Sequence, residues 1–181
     1  MQKKKLLLHC CCAPCASSVV ERLLEEGLYD ITMYFSNSNI LPFDEYEKRK
    51  YEIIRLNKEI FKDTILIIED YAPDNYFSSI KGLENLGEGS VRCDACISYR
   101  MKNTARFAKA NGYDCFATTL TVSPHKNAKK INEIGEGWAK EFDVEYLQSD
   151  FKKQNGYLRS IQLCKQYNIY RQKYCGCGLD L

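Results

Sequence analysis

A short apolar segment that ends abruptly in cysteines is the feature that most constrains how this chain folds. The apolar run within Lys5–His9 predicts a buried strand. Four cysteines lie within Cys10–Cys15, directly after that strand. Pro14 suits the first turn of a helix, and Gly27 suits its carboxyl end. The chain is therefore predicted to begin with a strand–turn–helix unit whose turn carries thiol groups.

Apolar segments of strand length alternate with amphipathic segments of helix length along the rest of the chain. The predicted strands span residues 5–9, 31–35, 65–69, 114–118 and 144–147. The predicted helices span residues 14–26, 43–61, 74–80, 93–110, 124–142 and 154–167. This alternation predicts an α/β fold, in which helices cover both faces of a parallel five-stranded sheet.

No linker or repeat divides the 181 residues, so we expect a single domain over residues 1–181. Residues 151–181 form a basic, tyrosine-rich tail that carries a C-x-C pair. The apolar stretch after Lys3–Lys5 is too short for a signal peptide, and no segment reaches transmembrane length. We therefore expect a cytoplasmic protein that does not bind membranes.

Polar side chains recur directly after the predicted strands. Asn37 and Asn39 follow the second strand, Thr118 and Thr119 follow the fourth, and Asp150 follows the fifth. In parallel sheets, sites form at the carboxyl ends of strands, near the point where strand order reverses. If the first and fourth strands are neighbours, the cysteines and the threonines share one crevice.

Ten cysteines are many for a chain in a reducing compartment, where they indicate metal binding or catalysis. Cys12–Cys15 and Cys93–Cys96 are C-x-x-C pairs at predicted helix starts, where the helix dipole favours thiolate. Cys175–Cys177 is a C-x-C pair. A zinc ribbon would place its two pairs about 15 to 20 residues apart. A [4Fe–4S] cluster with a second redox element uses these thiols better.

Two of the remaining three cysteines are expected to be structural. Cys115 lies inside the fourth predicted strand and Cys164 on an apolar helix stripe, and free cysteine is commonly buried. Cys10 is ambiguous, because neighbouring strand residues point to opposite faces and Cys11 takes the other face. His9 ends the apolar strand and is expected to be structural.

Six ordered blocks of this sequence resemble the epoxyqueuosine reductases of the QueH family over essentially the full length. The blocks are residues 7–15, 37–49, 92–96, 118–127, 149–153 and 170–177. Cys10 and Ser38 depart from the family pattern, which usually has a non-cysteine and often a proline at these places. The resemblance implies removal of the epoxide oxygen of epoxyqueuosine at the wobble position of tRNA, with electrons from an external donor.

The resemblance also implies a Rossmann-like fold of the adenine-nucleotide-hydrolase (HUP-like) type. In such relatives a glycine- and serine-rich phosphate loop follows the first strand. Cysteines occupy that place here, and no glycine precedes Gly27. We therefore expect neither ATP nor cobalamin as a cofactor.

Mapping the family motifs onto this chain assigns roles to most of the thiols. The expected ligands of a [4Fe–4S] cluster are four thiolates, Cys11, Cys12, Cys93 and Cys96. The expected second redox element is built from the remaining three, Cys15, Cys175 and Cys177. It is either an additional mononuclear iron, helped by Asp94 or Asp150, or a redox-active disulfide of the C-x-C pair.

Polar residues of the predicted crevice complete the expected site. The candidate acids are Asp150, Tyr174 and His125. The expected substrate contacts are Asn37, Asn39, Thr118, Thr119 and Ser123. Arg92, Arg100 and Arg171 are expected to offset thiolate charge or to contact phosphate.

Basic charge is concentrated in two segments, residues 91–132 and 151–181, and each carries a cysteine pair. In the tail, basic residues interleave with tyrosines, which suits an anticodon loop because phosphates need charge and bases need stacking. The expected tRNA contacts are Lys152, Lys153, Arg159, Arg171 and Lys173. Ordinary solvated helix faces are the alternative explanation of the charge.

Two other functions are compatible with the same residues. One is a thiol–disulfide oxidoreductase that uses the C-x-x-C pairs directly. The other is a non-catalytic iron–sulfur or zinc module that binds tRNA. The colour and metal content of anaerobically purified protein separate them from an iron–sulfur enzyme.

Overall fold

The computed structural model describes residues 2–179, so the predicted domain ends at residues 1 and 181 lie outside the described residues. The strands are β1 (Lys4–His9), β2 (Tyr29–Phe35), β3 (Ile65–Ile68), β4 (Cys115–Thr118) and β5 (Glu145–Tyr146). The helices are α1 (Ala13–Glu26), α2 (Phe43–Glu59), α3 (Pro73–Ser79), α4 (Val91–Ala110), α5 (Ala128–Phe142) and α6 (Gly156–Gln166). A 3₁₀ turn spans Thr119–Val122.

The five strands form one parallel sheet in the order β3-β2-β1-β4-β5. Strand order reverses at β1, where His9 pairs with Tyr34 of β2 and with Thr118 of β4. The predicted Rossmann-like parallel sheet is therefore confirmed. The carboxyl ends of β1 and β4 are neighbours, so the cysteines after β1 and the threonines after β4 do border one crevice.

The residues of β1 point alternately into two cores, one on each face of the sheet. Leu6 and Leu8 pack with residues of α1, α2 and α6, whereas Leu7 packs with residues of α4 and α5. All three leucines are fully buried. Each such side chain contributes about 1.5–3 kcal/mol through burial. Helices on both faces are therefore confirmed, and the continuous apolar run of β1 is explained by this two-sided burial.

One helix begins later than the sequence predicted. Helix α5 starts at Ala128, not at Pro124, because the side chain of Asn127 caps it by accepting a bond from the Lys130 amide. Ser123 instead accepts a bond from the backbone amide of His125 within the preceding turn. His125 therefore lies in an exposed turn, and the prediction that it stands in the first helical turn was wrong.

Three cysteines lie in the cores, as predicted for Cys115 and Cys164. Cys10 is fully buried, and its thiol donates to the carbonyl oxygen of Leu8 at 3.3 Å. Burial raises the pKa of Cys10 well above its ordinary value. Cys10 is thus a structural thiol that faces away from the crevice.

Among the described residues, no helix is long and apolar enough to cross a membrane.

Candidate active site

A cavity of about 820 Å³ opens at the carboxyl edge of the sheet, between the start of α1, the start of α4 and the C-terminal tail. It lies at the reversal of strand order, where sites in open parallel sheets are expected. Its thiol lining comprises Cys11, Cys15, Cys93, Cys96, Cys175 and Cys177. Every one of these is a free thiol. Three separate parts of the chain therefore bring their cysteines to one place.

The first set of thiols, here called the α1 thiol group, consists of Cys11, Cys12 and Cys15. Their sulfur atoms all lie within 4.8 Å of one another, and those of Cys11 and Cys12 are 3.7 Å apart. Cys12 is the N-cap residue of α1 and is buried. The sequence assigned Cys15 to the second redox element, whereas here it lies beside the two expected cluster ligands. The predicted division of ligands stays a prediction.

Hydrogen bonds within the α1 thiol group favour one thiolate. Hydrogen bonding with Cys12 and Cys15 lowers the pKa of Cys11 well below the ordinary value, and the Thr119 hydroxyl donates a further bond to its sulfur. The same contacts raise the pKa values of Cys12 and Cys15. A bound metal cation would displace the remaining protons, because thiolates are its ligands. The group is thus ready to bind a metal through sulfur.

The second set, here called the α4–tail thiol group, consists of Cys93, Cys96, Cys175 and Cys177. Ser90 caps α4, so Cys93 and Cys96 stand in the first turns of that helix, and Cys93 sulfur accepts from the Gly89 amide at 3.3 Å. Cys177 packs beside Cys96. Burial raises the pKa of Cys96, and the nearby Arg100 guanidinium opposes that shift.

Two cations face these sulfur atoms. Arg100 is 2% exposed and lines the cavity. Lys126 donates to the Cys175 sulfur at 3.0 Å. Burial alone would lower the pKa of Lys126, but the Cys175 charge and this hydrogen bond raise it. Sequence reasoning missed Lys126, although it lies in the matched block 118–127, one residue after the histidine that was chosen.

A buried arginine of α2 holds the C-x-C pair in place. Arg49 donates to the carbonyl oxygens of Cys175 and Tyr174 at 2.8 and 3.1 Å. Its Nε donates to Glu45 at 2.7 Å, and Glu45 also accepts from the Tyr170 hydroxyl. Sequence reasoning missed Arg49, because a basic residue in an amphipathic helix is normally exposed. Its place at the end of the matched block 37–49 was the available signal.

The polar residues predicted to contact substrate divide into two sets. Thr118 bonds the His9 imidazole at 3.0 Å, and Asn37 donates to the Cys10 carbonyl oxygen at 2.8 Å, so both support the turn after β1. Burial and the Arg100 charge lower the pKa of His9 to about 4, which keeps this imidazole neutral. Thr119 contacts the thiol of Cys11 directly at 3.4 Å. Asn39 and Ser123 line the cavity itself.

The three candidate acids and Asp94 are placed less favourably for delivering a proton into the cavity. Asp150 pairs with Lys152 and Lys153 at 2.9 and 3.7 Å and lies outside the residues that line the cavity. The Tyr174 hydroxyl donates to the Leu41 carbonyl oxygen at 2.5 Å, although the ring lines the cavity. His125 lines the cavity from an exposed turn. Asp94, the alternative carboxylate, lies beside Lys130 at 3.5 Å.

The predicted tRNA contacts differ in whether they line the cavity. Arg171 and Lys173 are exposed and line the cavity. Arg159 forms a two-bond ion pair with Glu21 at 2.7 Å, which joins α6 to α1. Two of the predicted cations therefore stand at the thiol cavity, whereas Arg159 has a structural partner elsewhere.

The parallel α/β sheet, with free thiols after its first strand and with Arg100 and Lys126 facing them, defines a class of protein. It is a Rossmann-like protein with a thiol-rich site that can hold a metal. The sequence model described as "Epoxyqueuosine reductase QueH" matches residues 6–180, and the chain belongs to that family.

Three relatives carry the same description, epoxyqueuosine reductase QueH. The protein of Streptococcus pyogenes serotype M1 is 45% identical, over 99% of this chain and 74% of its own length. That of Staphylococcus aureus is 42% identical, over 97% of this chain and 75% of its own. That of Thermotoga maritima is 33% identical, over 97% of this chain and 90% of its own.

Proposed function

We propose that this protein reduces epoxyqueuosine in tRNA to queuosine. The observation that carries the proposal is the thiol-lined cavity at the carboxyl edge of the sheet, in a chain of the QueH family. The reaction removes the epoxide oxygen and leaves an alkene. It consumes two electrons and two protons and releases water, so the site needs a source of electrons and a way to deliver protons.

We propose that the thiols hold a [4Fe–4S] cluster, with Cys11, Cys12, Cys93 and Cys96 as ligands. The donor set suits this group, because it consists of free thiols, and two of them, Cys11 and Cys12, belong to the α1 thiol group, whose sulfur atoms lie within 4.8 Å of one another. Arg100 and Lys126 would offset the negative charge of so many thiolates. When bound, the cluster would supply electrons one at a time.

The second redox element is proposed to use Cys15, Cys175 and Cys177. These thiols would bind an additional iron or, as a C-x-C disulfide, would exchange electrons themselves. The proximity of Cys15 to Cys11 and Cys12 makes it a competing cluster ligand. Arg49 holds the C-x-C pair at the cavity, because its guanidinium donates to the backbone carbonyl oxygen of Cys175.

The chain's own residues would bind and orient the nucleoside. Arg171 and Lys173 at the cavity suit the phosphates that flank the wobble base. The Lys126 ammonium holds a proton within hydrogen-bond distance of Cys175 and lines the same cavity. Residues 171–178 of the tail line one side of the cavity and would exclude water from the bound nucleoside.

The proposal is tested by mass analysis of nucleosides. Anaerobically purified protein, reconstituted with iron and sulfide, is incubated with epoxyqueuosine-containing tRNA and a chemical reductant. We expect the modified nucleoside to lose the mass of one oxygen atom. Unchanged nucleoside with an iron-loaded protein would contradict the proposal. Colourless protein that instead reduces model disulfides would support the oxidoreductase alternative.

The electrostatic part of tRNA binding gives a further prediction. The logarithm of tRNA affinity falls with the logarithm of salt concentration, and each single-stranded phosphate contact contributes about 0.7 to the steepness of that fall. Replacing both Arg171 and Lys173 with alanine should therefore make the fall less steep by about 1.4. Arg159→Ala is the matched control, because its guanidinium is committed to Glu21. Binding measured by fluorescence anisotropy over a salt series checks this. An equal effect of Arg159→Ala would refute the assignment.

A further inference from the structure

Several buried polar atoms lack a hydrogen-bond partner among residues 2–179, and three of them belong to residues that line the thiol cavity. They are the Oδ1 atom of Asn39, the Oε1 atom of Gln172 and the hydroxyl of Tyr76, which also faces the Cys177 thiol. Asn39 is 1% exposed and Tyr76 is fully buried. Native proteins leave few buried polar groups unpaired, because each one destabilises the fold. Their concentration in one cavity therefore points to a ligand that pairs with them.

The orientation of the Gln172 amide follows from its other contact. Its Nε2 donates to the sulfur of Cys12 at 3.0 Å. A flipped amide would turn its oxygen toward that sulfur, and two acceptors would face each other once Cys12 is a metal-bound thiolate. The Gln172 oxygen is consequently the atom that is left for a ligand. A group bound there lies one side chain away from the α1 thiol group.

Asn39 is held by the tail on its other side. A Cβ atom added to Gly176 would lie 2.9 Å from the Asn39 Nδ2 atom, so the glycine allows the tail to pack directly on this amide. The Gly176 carbonyl oxygen accepts from the Leu41 amide at 2.8 Å and fixes that approach. The amide of Asn39 is thus confined between the loop after β2 and the C-x-C pair.

The chemistry of these atoms selects the ligand. The two amide oxygens accept hydrogen bonds, so they need a partner with hydroxyl or N–H groups. Thiolates and the sulfides of a cluster are themselves acceptors and cannot satisfy them. A phosphate has no donors to offer, and the exposed cations Arg171 and Lys173 already suit it better. A neutral ring that bears hydroxyl groups matches the amide oxygens, and Tyr76 can donate or accept.

We infer that Asn39, Gln172 and Tyr76 form a subsite that binds the hydroxyl-bearing carbocyclic ring attached to the wobble base. The inference rests on the proposed function and names the part of the substrate that these three residues hold. It makes them specificity-determining residues, which separate a tRNA that carries the ring from one that does not. Asn37, predicted together with Asn39, has no part in the subsite, because it is not among the residues that line the cavity and its amide nitrogen donates to the Cys10 carbonyl oxygen.

The test compares the binding of two tRNAs to the anaerobically purified, iron-loaded protein. One carries epoxyqueuosine, and the other is the same tRNA with an unmodified base at that position. Gln172→Met and Tyr76→Phe should each lower affinity for the modified tRNA about tenfold, as the loss of one or two buried hydrogen bonds implies. Affinity for the unmodified tRNA should not change. Gln166→Met, at the exposed end of α6, is the control and should leave both affinities unchanged.

Iron content and the visible spectrum are measured on every variant. Gln172→Met removes the hydrogen bond to the Cys12 sulfur and could lose iron for that reason. In that case the binding result for Tyr76→Phe alone tests the subsite. The inference would be overturned if Tyr76→Phe still preferred the modified tRNA over the unmodified one as strongly as the wild type does. The same result in a Gln172→Met protein that retains its iron would also count against it. Failure of the wild type to remove the epoxide oxygen would instead count against the proposed function, and the binding comparison would still test the subsite.

Discussion

Cys12→Ser is expected to lose iron and to lower reductase activity by at least about 100-fold, since disturbing groups behind a metal ligand already costs 10- to 100-fold. Cys12 is buried at the N-cap of α1, and its sulfur lies within 4.8 Å of those of Cys11 and Cys15. Serine preserves the size of the side chain but supplies a hard hydroxyl where iron–sulfur chemistry requires a soft thiolate. Iron analysis and the visible spectrum of anaerobically prepared protein provide the measurement.

Core cysteines supply the matched control for this substitution. Cys115→Ser and Cys164→Ser each place a hydroxyl in an apolar core, and should cost about 1–3 kcal/mol of stability. Neither residue lines the thiol cavity, so both variants should retain iron. A Cys12→Ser protein that binds as much iron as these controls would exclude Cys12 as a ligand.

Arg49→Met is expected to destabilise the protein by about 3–5 kcal/mol, because it removes one partner of a buried charge pair. The Arg49 side chain is 2% exposed, and its guanidinium bonds Glu45 and two carbonyl oxygens of the tail. Without it, Glu45 keeps only a Tyr170 hydroxyl among these contacts, and the tail loses its two hydrogen bonds to α2 at Tyr174 and Cys175. Cys175 should then leave the cavity, and activity should fall with it.

Arg55→Met separates this effect from the general loss of an arginine on the same helix. Arg55 also bonds tail carbonyl oxygens, those of Tyr167 and Asn168, but its side chain is 21% exposed. We expect a loss of about 1 kcal/mol, within the range of partly exposed ion pairs. Urea unfolding gives both values, and tryptic cleavage at Lys173 reports release of the tail. Equal destabilisation by the two substitutions would argue against a special role for Arg49.

Local patterns in the sequence were sufficient to predict the strands and helices and to place the thiols at the carboxyl end of β1. The apolar run before His9, with Pro14 and Gly27 beyond it, is encoded within one short segment. Strand–helix alternation then leaves few topologies, because crossover connections between parallel strands share one handedness. Handedness does not fix the strand order, however, and the pairing of β1 with β4, which brings the cysteines and the threonines together, is established by the folded chain.

The start of helix α5 could not be predicted from local patterns. Both Ser123 and Asn127 are acceptable helix caps, and the sequence gives no local reason to prefer the second. The turn that returns the chain from the crevice ends at Asn127, where α5 then begins. The same turn directs Lys126 to Cys175. A preference between equivalent caps depends on the position of the following helix against the sheet, which no local pattern records.

The sequence by itself determined the parallel α/β architecture, the thiol-rich turn after β1 and the structural role of Cys115 and Cys164. Only the tertiary structure decided that Lys126 faces the Cys175 sulfur and that Arg49 of α2 holds the C-x-C pair. The physical reason is the range of the interactions. Periodicity and capping act within a few residues, whereas the contact of Arg49 with Cys175 joins residues 126 positions apart and exists only once the chain has folded.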